Sequence, residues 1–279
     1  MAEARLLHHR TGTLPLGERT LVMGVVNVTP DSFSDGGVHF RAEEAVAGAL
    51  RMAAEGADIL DLGGESTRPG YSGISAEEEW ARVRPVLEAL ARIEALPPVS
   101  IDTTKAEVAR RALKAGAAIV NDIWGFQRDP ELARITAEAG AAAVLMHNRD
   151  SLDAGLDIVD DMLRFFERSL AIARAAGVEE NRIALDPGIG FGKTLPQQFQ
   201  AIAGLPRLKS LGFPVLLGVS RKSFIGRLFD PPPAATARLP GTIAANTFGV
   251  LAGADIVRVH DVAAHVQALR VLGELRRAA

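Results

Sequence analysis

The sequence predicts a single closed (β/α)8 TIM barrel over residues 1–279, and three observations predict it. Eight short apolar runs recur along the chain, each with a polar residue at its end. Helical patterns separate the runs, the order that winds a parallel sheet inside a ring of helices. The first run passes into Asn27-Val-Thr-Pro, whereas the runner-up fold, an open doubly wound sheet, needs a glycine-rich turn there. The runs are apolar throughout rather than alternating, as buried parallel strands are.

Residues 1–20, with Gly12, Pro15 and Gly17, read as a hairpin closing the bottom of the barrel. Strand one is 22–26 and delivers Asn27. Residues 42–55 place apolar side chains at three- and four-residue steps, with Gly56 as C-cap. Strand two, 59–60, leads to Asp61; Ser75-Ala-Glu-Glu78 is a capping box opening a helix to about Glu94, which Pro97-Pro98 stops. Strand three, 99–101, delivers Asp102, and Thr104-Lys-Ala-Glu107 reads as a second capping box for a helix ending near Gly116. Strand four, 119–120, ends at Asn121, and strand five, 143–146, at His147, with helices at 130–139 and 157–176. Strand six, 183–185, ends at Asp186 and precedes a helix at 196–211. Strand seven, 215–219, delivers Ser220; a proline-rich loop at 231–235 and a helix at 242–251 follow. Strand eight, 256–259, brackets Arg258, ends at His260 and leads to a helix at 262–277.

Composition narrows the function. A hydrophobic content of 48% supports one large core, and no stretch reaches the ~18 apolar residues of a membrane span. With no apolar signal core at the N-terminus, a cytoplasmic protein is the expectation. The absence of cysteine excludes disulfides and thiolate metal sites, and a net charge of −3 with mixed signs argues against a nucleic-acid surface. The cations are mostly Arg, which suits hot growth or a GC-rich genome equally.

Polar residues at the carboxyl ends of barrel strands are where such folds keep their chemistry. Asp102, Asn121 and Asp186 surround one mouth, and two carboxylates with an amide suit a flat heterocycle rich in amino and N–H donors. Taken singly, Asp102 could merely cap a helix and Asp186 precede a turn. Gly63-Gly64-Glu65-Ser66-Thr67-Arg68 offers backbone N–H groups, a hydroxyl and a guanidinium to an anion, or is a connector with a surface arginine. Gly188-Ile-Gly-Phe-Gly-Lys193 fails the P-loop pattern at Pro187 and reads as a loop holding Phe191 and Lys193 over the mouth. Ser220-Arg221-Lys222-Ser223 reads as a helix start able to take a carboxylate or phosphate. Arg258 and His260, two apart, share a face of strand eight. His147 reads as a satisfied rim histidine, and Trp124 and Met146 as pocket walls. No nucleophile elbow or zinc motif is present, so the chemistry is positional and electrostatic.

Eight segments in order (27–37, 61–70, 100–103, 121–125, 145–147, 186–193, 220–226 and 258–262) resemble the dihydropteroate synthase family over nearly the whole chain. NVTPDSFSDGG, GGESTRPG and SRK are together specific to it. The resemblance implies condensation of dihydropterin methyl diphosphate with p-aminobenzoate, with Asp102, Asn121, Asp186, Lys222 and Met146 around the pterin. It implies that Asn27, Thr67, Arg68, Arg258 and His260 surround the diphosphate, with Asn27 near a Mg2+ ion. It further implies that Ser220, Arg221, Phe191 and Pro69 hold p-aminobenzoate, where sulfonamides would compete. Asp102, Lys222, Arg258, His260 and Asp35 are the residues it marks as catalytic, and a homodimer is implied. Two rivals remain: a corrinoid-type pterin methyltransferase, which needs no Ser-Arg-Lys carboxylate site, and a pterin binder without turnover.

Overall fold

A computed structural model describes residues 5–28, 38–66 and 73–278, with the side chains of 38–41 excepted. The chain begins with an antiparallel hairpin, β1 (Arg5–His9) and β2 (Gly12–Leu16). The barrel strands follow: β3 (Leu21–Asn27), β4 (Ile59–Gly63), β5 (Val99–Asp102), β6 (Ile119–Asp122), β7 (Ala142–Met146), β8 (Ile183–Asp186), β9 (Leu216–Leu217) and β10 (Ile256–Val259). All neighbours pair in parallel in the order β8-β7-β6-β5-β4-β3-β10-β9, and a parallel bridge between Leu185 and Val215 brings the two ends together. The helices between them are α1 (Val38–Ala54), α2 (Ala76–Leu90), α3 (Ala106–Lys114), α4 (Glu131–Glu138), α5 (Ile158–Ala175), α6 (Leu195–Ala203), α7 (Leu205–Lys209), α8 (Ser223–Gly226), α9 (Leu239–Leu251) and α10 (Val262–Ala278).

Alternation along each strand divides the core in two. Outward residues such as Leu60, Leu62, Ile101, Val120, Leu145 and Leu185 pack against the helices. Inward residues such as Met23, Ile59, Ile119, Val144, Leu216 and Ile256 fill the barrel, and Leu7, Leu14 and Leu16 of the hairpin join this cluster as the predicted bottom plug. Above the apolar layer, the next inward positions are polar. Asn27, Gly63, Asp102 and Asn121 are register partners across four adjacent strands and form one row of the mouth.

Several helix boundaries differ from expectation. Ser75 does cap α2, accepting from Glu78 N at 3.1 Å. The second capping box does not form: α3 starts one residue later, with Lys105 as N-cap and no side-chain cap. Its Ala106 N–H is instead taken by Asp129 Oδ2 at 3.2 Å, a partner 23 residues away. The helix expected over 196–211 is two, because Gly204 ends α6 and Pro206 sits inside the first turn of α7, where a missing N–H costs nothing.

Candidate active site

The mouth of the barrel is built around one guanidinium. Arg258 points inward from β10; its Nε donates to Asp61 Oδ2 at 2.6 Å and its Nη2 to Asp102 Oδ2 at 2.8 Å. Asn121 Nδ2 donates to the same Asp61 oxygen at 3.1 Å. Burial works against the charge of Arg258, but the carboxylates of Asp61 and Asp102 outweigh it and hold the guanidinium above its ordinary range. Burial pushes Asp102 up to about 7, with Arg258 opposing and Asp61 reinforcing the rise. Burial and the neighbouring carboxylates thus favour its neutral form, and Arg258 opposes them.

Across the mouth, Asp186 ends β8 and is also raised by burial, opposed by Lys222 and by a hydrogen bond from Gly188 N to its Oδ1 at 2.7 Å. Lys222 is lowered by burial to about 8, with Asp186 resisting. Its Nζ donates to the Ile189 carbonyl and lies 4.9 Å from the centre of the Phe191 ring. A Cβ at Gly218 would come within 3.6 Å of Asp186 Oδ2, so the glycine leaves that carboxylate accessible from strand β9's side. Met146 is buried and is the register partner of Asp186, which places it beside that carboxylate in the wall. Half-buried Trp124 lies under the Arg128 guanidinium, 3.7 Å from its ring centre.

The loop after β8 owes its glycines to sterics rather than to a nucleotide. Gly188 has φ +61, and a Cβ there would lie 1.9 Å from the His147 carbonyl oxygen; at Gly192, φ +57, it would lie 2.4 Å from Arg149 Cβ. Phe191 stays at the mouth, but Lys193 does not project over it. The Lys193 side chain is buried beneath the loop, on His147 and two backbone carbonyls. His147 is satisfied as expected, between Lys193 and Asp161.

The Ser220 region departs most from expectation. Only Ser223–Gly226 is helical, and its N-cap Lys222 makes no side-chain cap, so the predicted helix start at Ser220 does not exist. Arg221 takes φ +58, which turns the chain before a helix can begin. The turn is fixed on every side: Arg221 N donates to Thr242 Oγ1 at 3.0 Å, Arg238 reaches the Arg221 carbonyl, and the Arg221 guanidinium is bidentate on Asp261. Ser220 Oγ lies 2.9 Å from His260 Nδ1 and accepts from His260 N at 3.2 Å. The structure thus pairs Ser220 with His260 and Arg221 with the adjacent Asp261.

Thr67, Arg68, Pro69 and Asp35 lie outside the described residues, as do Phe33 and most of the stretch after Asn27. The root of the Arg68 loop is described. Lys105 Nζ lies 2.6 Å from both Glu65 and buried Glu79, while Glu65 Oε1 accepts from Ile74 N at 2.8 Å. Glu65 therefore ties the two ends of that loop rather than facing an anion. Sequence reasoning assigned no role to Asp61 or Lys105.

Asn27 bears on the expected metal. A Cβ on Gly63 would lie 3.9 Å from Asn27 Oδ1 and 3.8 Å from Asp102 Oδ2, so glycine keeps open a gap that these two oxygens border. Among the described residues there is no cluster of three carboxylate or histidine ligands. Hard oxygens with room for a substrate's oxygens suit Mg2+, which often binds through one or two protein oxygens plus phosphates. Among the described residues no helix is long and apolar enough to cross a membrane.

Residues 23–260 match the family described as pterin binding enzyme. The dihydropteroate synthase of Bacillus subtilis is 48% identical over 260 residues, covering 93% of this chain and 90% of its own length. A Xanthomonas albilineans dihydropteroate synthase structure with 4-aminobenzoic acid superposes with a TM-score of 0.92 at 44% identity, over 98% of each chain. Another from that organism, in complex with 7,8-dihydropteroate, gives 0.83 at 40% identity, over 94% of this chain and 95% of its own.

Proposed function

Because the chain belongs to the pterin binding enzyme family and, within it, to the dihydropteroate synthases, we propose that this transferase joins (7,8-dihydropterin-6-yl)methyl diphosphate to p-aminobenzoate. The amine nitrogen forms a bond to the pterin methylene carbon; the carbon–oxygen bond to diphosphate breaks and diphosphate leaves with the electron pair. The amine proton passes to solvent, and the product is 7,8-dihydropteroate.

The observation that carries this reading is that acceptors and buried cations converge on one mouth. Asp102 and Asn121 are register partners and Asp186 ends β8, and together they offer acceptors to which the amino and N–H groups of a pterin can donate. Arg258 and Lys222 stand at the same mouth, facing those carboxylates. A pterin donating to Asp102 competes with Arg258 Nη2 for one oxygen. The guanidinium is thereby released toward the diphosphate, where cationic donors stabilise the departing charge. An ionised Asp102 beside the pterin favours the positive charge left on the ring. An aromatic amine is already a nucleophile at neutral pH, so the reaction needs no strong base.

Asn27 would hold Mg2+ together with the diphosphate; when bound, the ion neutralises the oxygens of the leaving group. p-Aminobenzoate would lie against Phe191, with its carboxylate near Ser220 and Arg221. That carboxylate is read by a hydroxyl and a guanidinium already paired with Asp261, not by a helix start. The same reading includes a homodimer.

Diphosphate release from dihydropterin methyl diphosphate and Mg2+, measured with and without p-aminobenzoate, tests the proposal. Dihydropteroate formed only when p-aminobenzoate is present is the expected result. Tight pterin binding with no release under any condition would overturn it.

A further inference from the structure

The loop between β8 and α6 is held from below by a side chain that the reaction itself does not use. Lys193 is 3% exposed, and its Nζ lies 2.7 Å from His147 Nδ1, 2.8 Å from the Gly188 carbonyl and 3.1 Å from the Phe191 carbonyl. His147 Nε2 faces Asp161 Oδ2 at 3.1 Å, and Arg149 Nη1 holds the same oxygen at 2.7 Å. A neutral imidazole that donates Nε2–H to this carboxylate leaves Nδ1 as an acceptor. Lys193 therefore faces three close acceptors, with the His147 carbonyl a fourth at 3.5 Å. An ammonium has three donors, one for each close acceptor.

We infer that Lys193 is a positioning group for p-aminobenzoate: it pins the backbone at Gly188 and Phe191 and so sets the Phe191 ring beneath Lys222. The ligand in this statement rests on the synthase reading; the brace rests on the loop alone.

The charged groups around Lys193 divide between support and opposition. Burial lowers Lys193 to about 7; Asp186 and Asp161 pull it upward, and Lys222 and Arg149 push it further down. Burial also lowers His147 to about 4, so the imidazole stays neutral and its Nδ1 stays an acceptor for Lys193. Opening the loop to water would return Lys193 toward its ordinary range, so rising pH does not favour opening, and the brace is tested by substitution rather than by pH.

The test is hydrogen exchange of the 187–193 segment, corrected for intrinsic rates, with Michaelis constants for both substrates, in the native protein and in Lys193→Met. In Lys193→Met, loop exchange and the p-aminobenzoate constant should rise together by roughly 10-fold, while the constant for the pterin diphosphate holds. A folded Lys193→Met that exchanges as native, or that raises both Michaelis constants equally, overturns the inference. If Lys193→Met does not fold, Lys193→Gln decides by the same readings, and native exchange in it overturns the inference. If no synthase turnover is found, faster exchange of the loop in the variant still supports the brace and the failure falls on the substrate reading.

Discussion

Arg258 meets two carboxylates with a single guanidinium, and they are not equivalent. The Asp61 side chain is 0% exposed and that of Asp102 14% exposed, so a ligand entering the mouth reaches Asp102 first. Arg258 can then swing about an anchor at Asp61 without leaving a buried carboxylate uncompensated. Arg258→Ala should lower kcat by on the order of 10²-fold, as loss of one transition-state donor does. It should also cost about 3 kcal/mol of stability, since Asp61 stays buried without its cation. Asp61→Asn keeps the shape and removes the anchor. If Asp61 works through Arg258, the double variant is no slower than Arg258→Ala alone; losses in kcat that add would show Asp61 acting independently. Asp61 escaped sequence reasoning because it stands at the end of an apolar run like every other tip, while in space it is one layer deeper, paired in register with Val25 and Ser100. Lys193, which the sequence reads as projecting over the mouth, turns beneath the loop for another reason. Its acceptors are backbone carbonyls and a histidine 46 residues away, and neither leaves a mark on spacing.

At the level of elements, most of the barrel is written in local pattern: eight apolar runs, the inward polar tips, the hairpin and the Ser75 cap all stand where the sequence places them. What local pattern misses is competition from outside the window. Thr104 loses its capping role to Asp129, which approaches from the next loop. Ser220-Arg221-Lys222 looks like a helix start, yet Thr242, Arg238 and Asp261 hold Arg221 in a conformation no helix accepts. A cap that the sequence did carry without being singled out is Thr194-Leu-Pro-Gln197. Thr194 Oγ1 accepts from Gln197 N, and Gln197 Oε1 accepts from Thr194 N at 2.9 Å, closing a capping box at the start of α6. Gln197 Nε2 also reaches the Asp153 carbonyl at 2.6 Å, so this cap joins the α6 start to the segment before α5. Thr194→Ala should cost about 1 kcal/mol in urea unfolding, and Thr194→Ser much less. Equal losses for both would mean that the methyl group, not the hydroxyl, matters there.

Over the whole molecule, one ion-pair network and one exposed apolar face lie on different helices. Arg111 pairs with Glu77 and Glu107, Arg110 with Glu107 and Glu131, and Arg134 with Glu131 and Glu138, an ion-pair chain running across α2, α3 and α4. The last two helices are different. The sequence of α9, LPGTIAANTFGVL, has no charged residue, although a helix with water along one face ordinarily carries several. Phe248 and Leu251 on α9 are 54% and 62% exposed, and Val271 and Leu275 on α10 are 57% and 62% exposed. Between the two helices runs an open, largely apolar groove of about 460 Å3 lined by residues including Ile243, Ala268 and Leu275. A two-fold contact sets the same patch of each copy against the other. Exposed apolar patches of this kind mark interfaces, and the homodimer proposed above would place its contact here. Light scattering should therefore give about twice the 29.6 kDa chain mass. Leu275→Glu should weaken the dimer by roughly 3 kcal/mol, on the order of 10²-fold in Kd, because the contact would bury an unpaired carboxylate. Its circular dichroism should stay native, since Leu275 takes no part in the barrel core. A native chain that runs at monomer mass at every concentration, or a Leu275→Glu variant that keeps the dimer mass, would move the contact off this face.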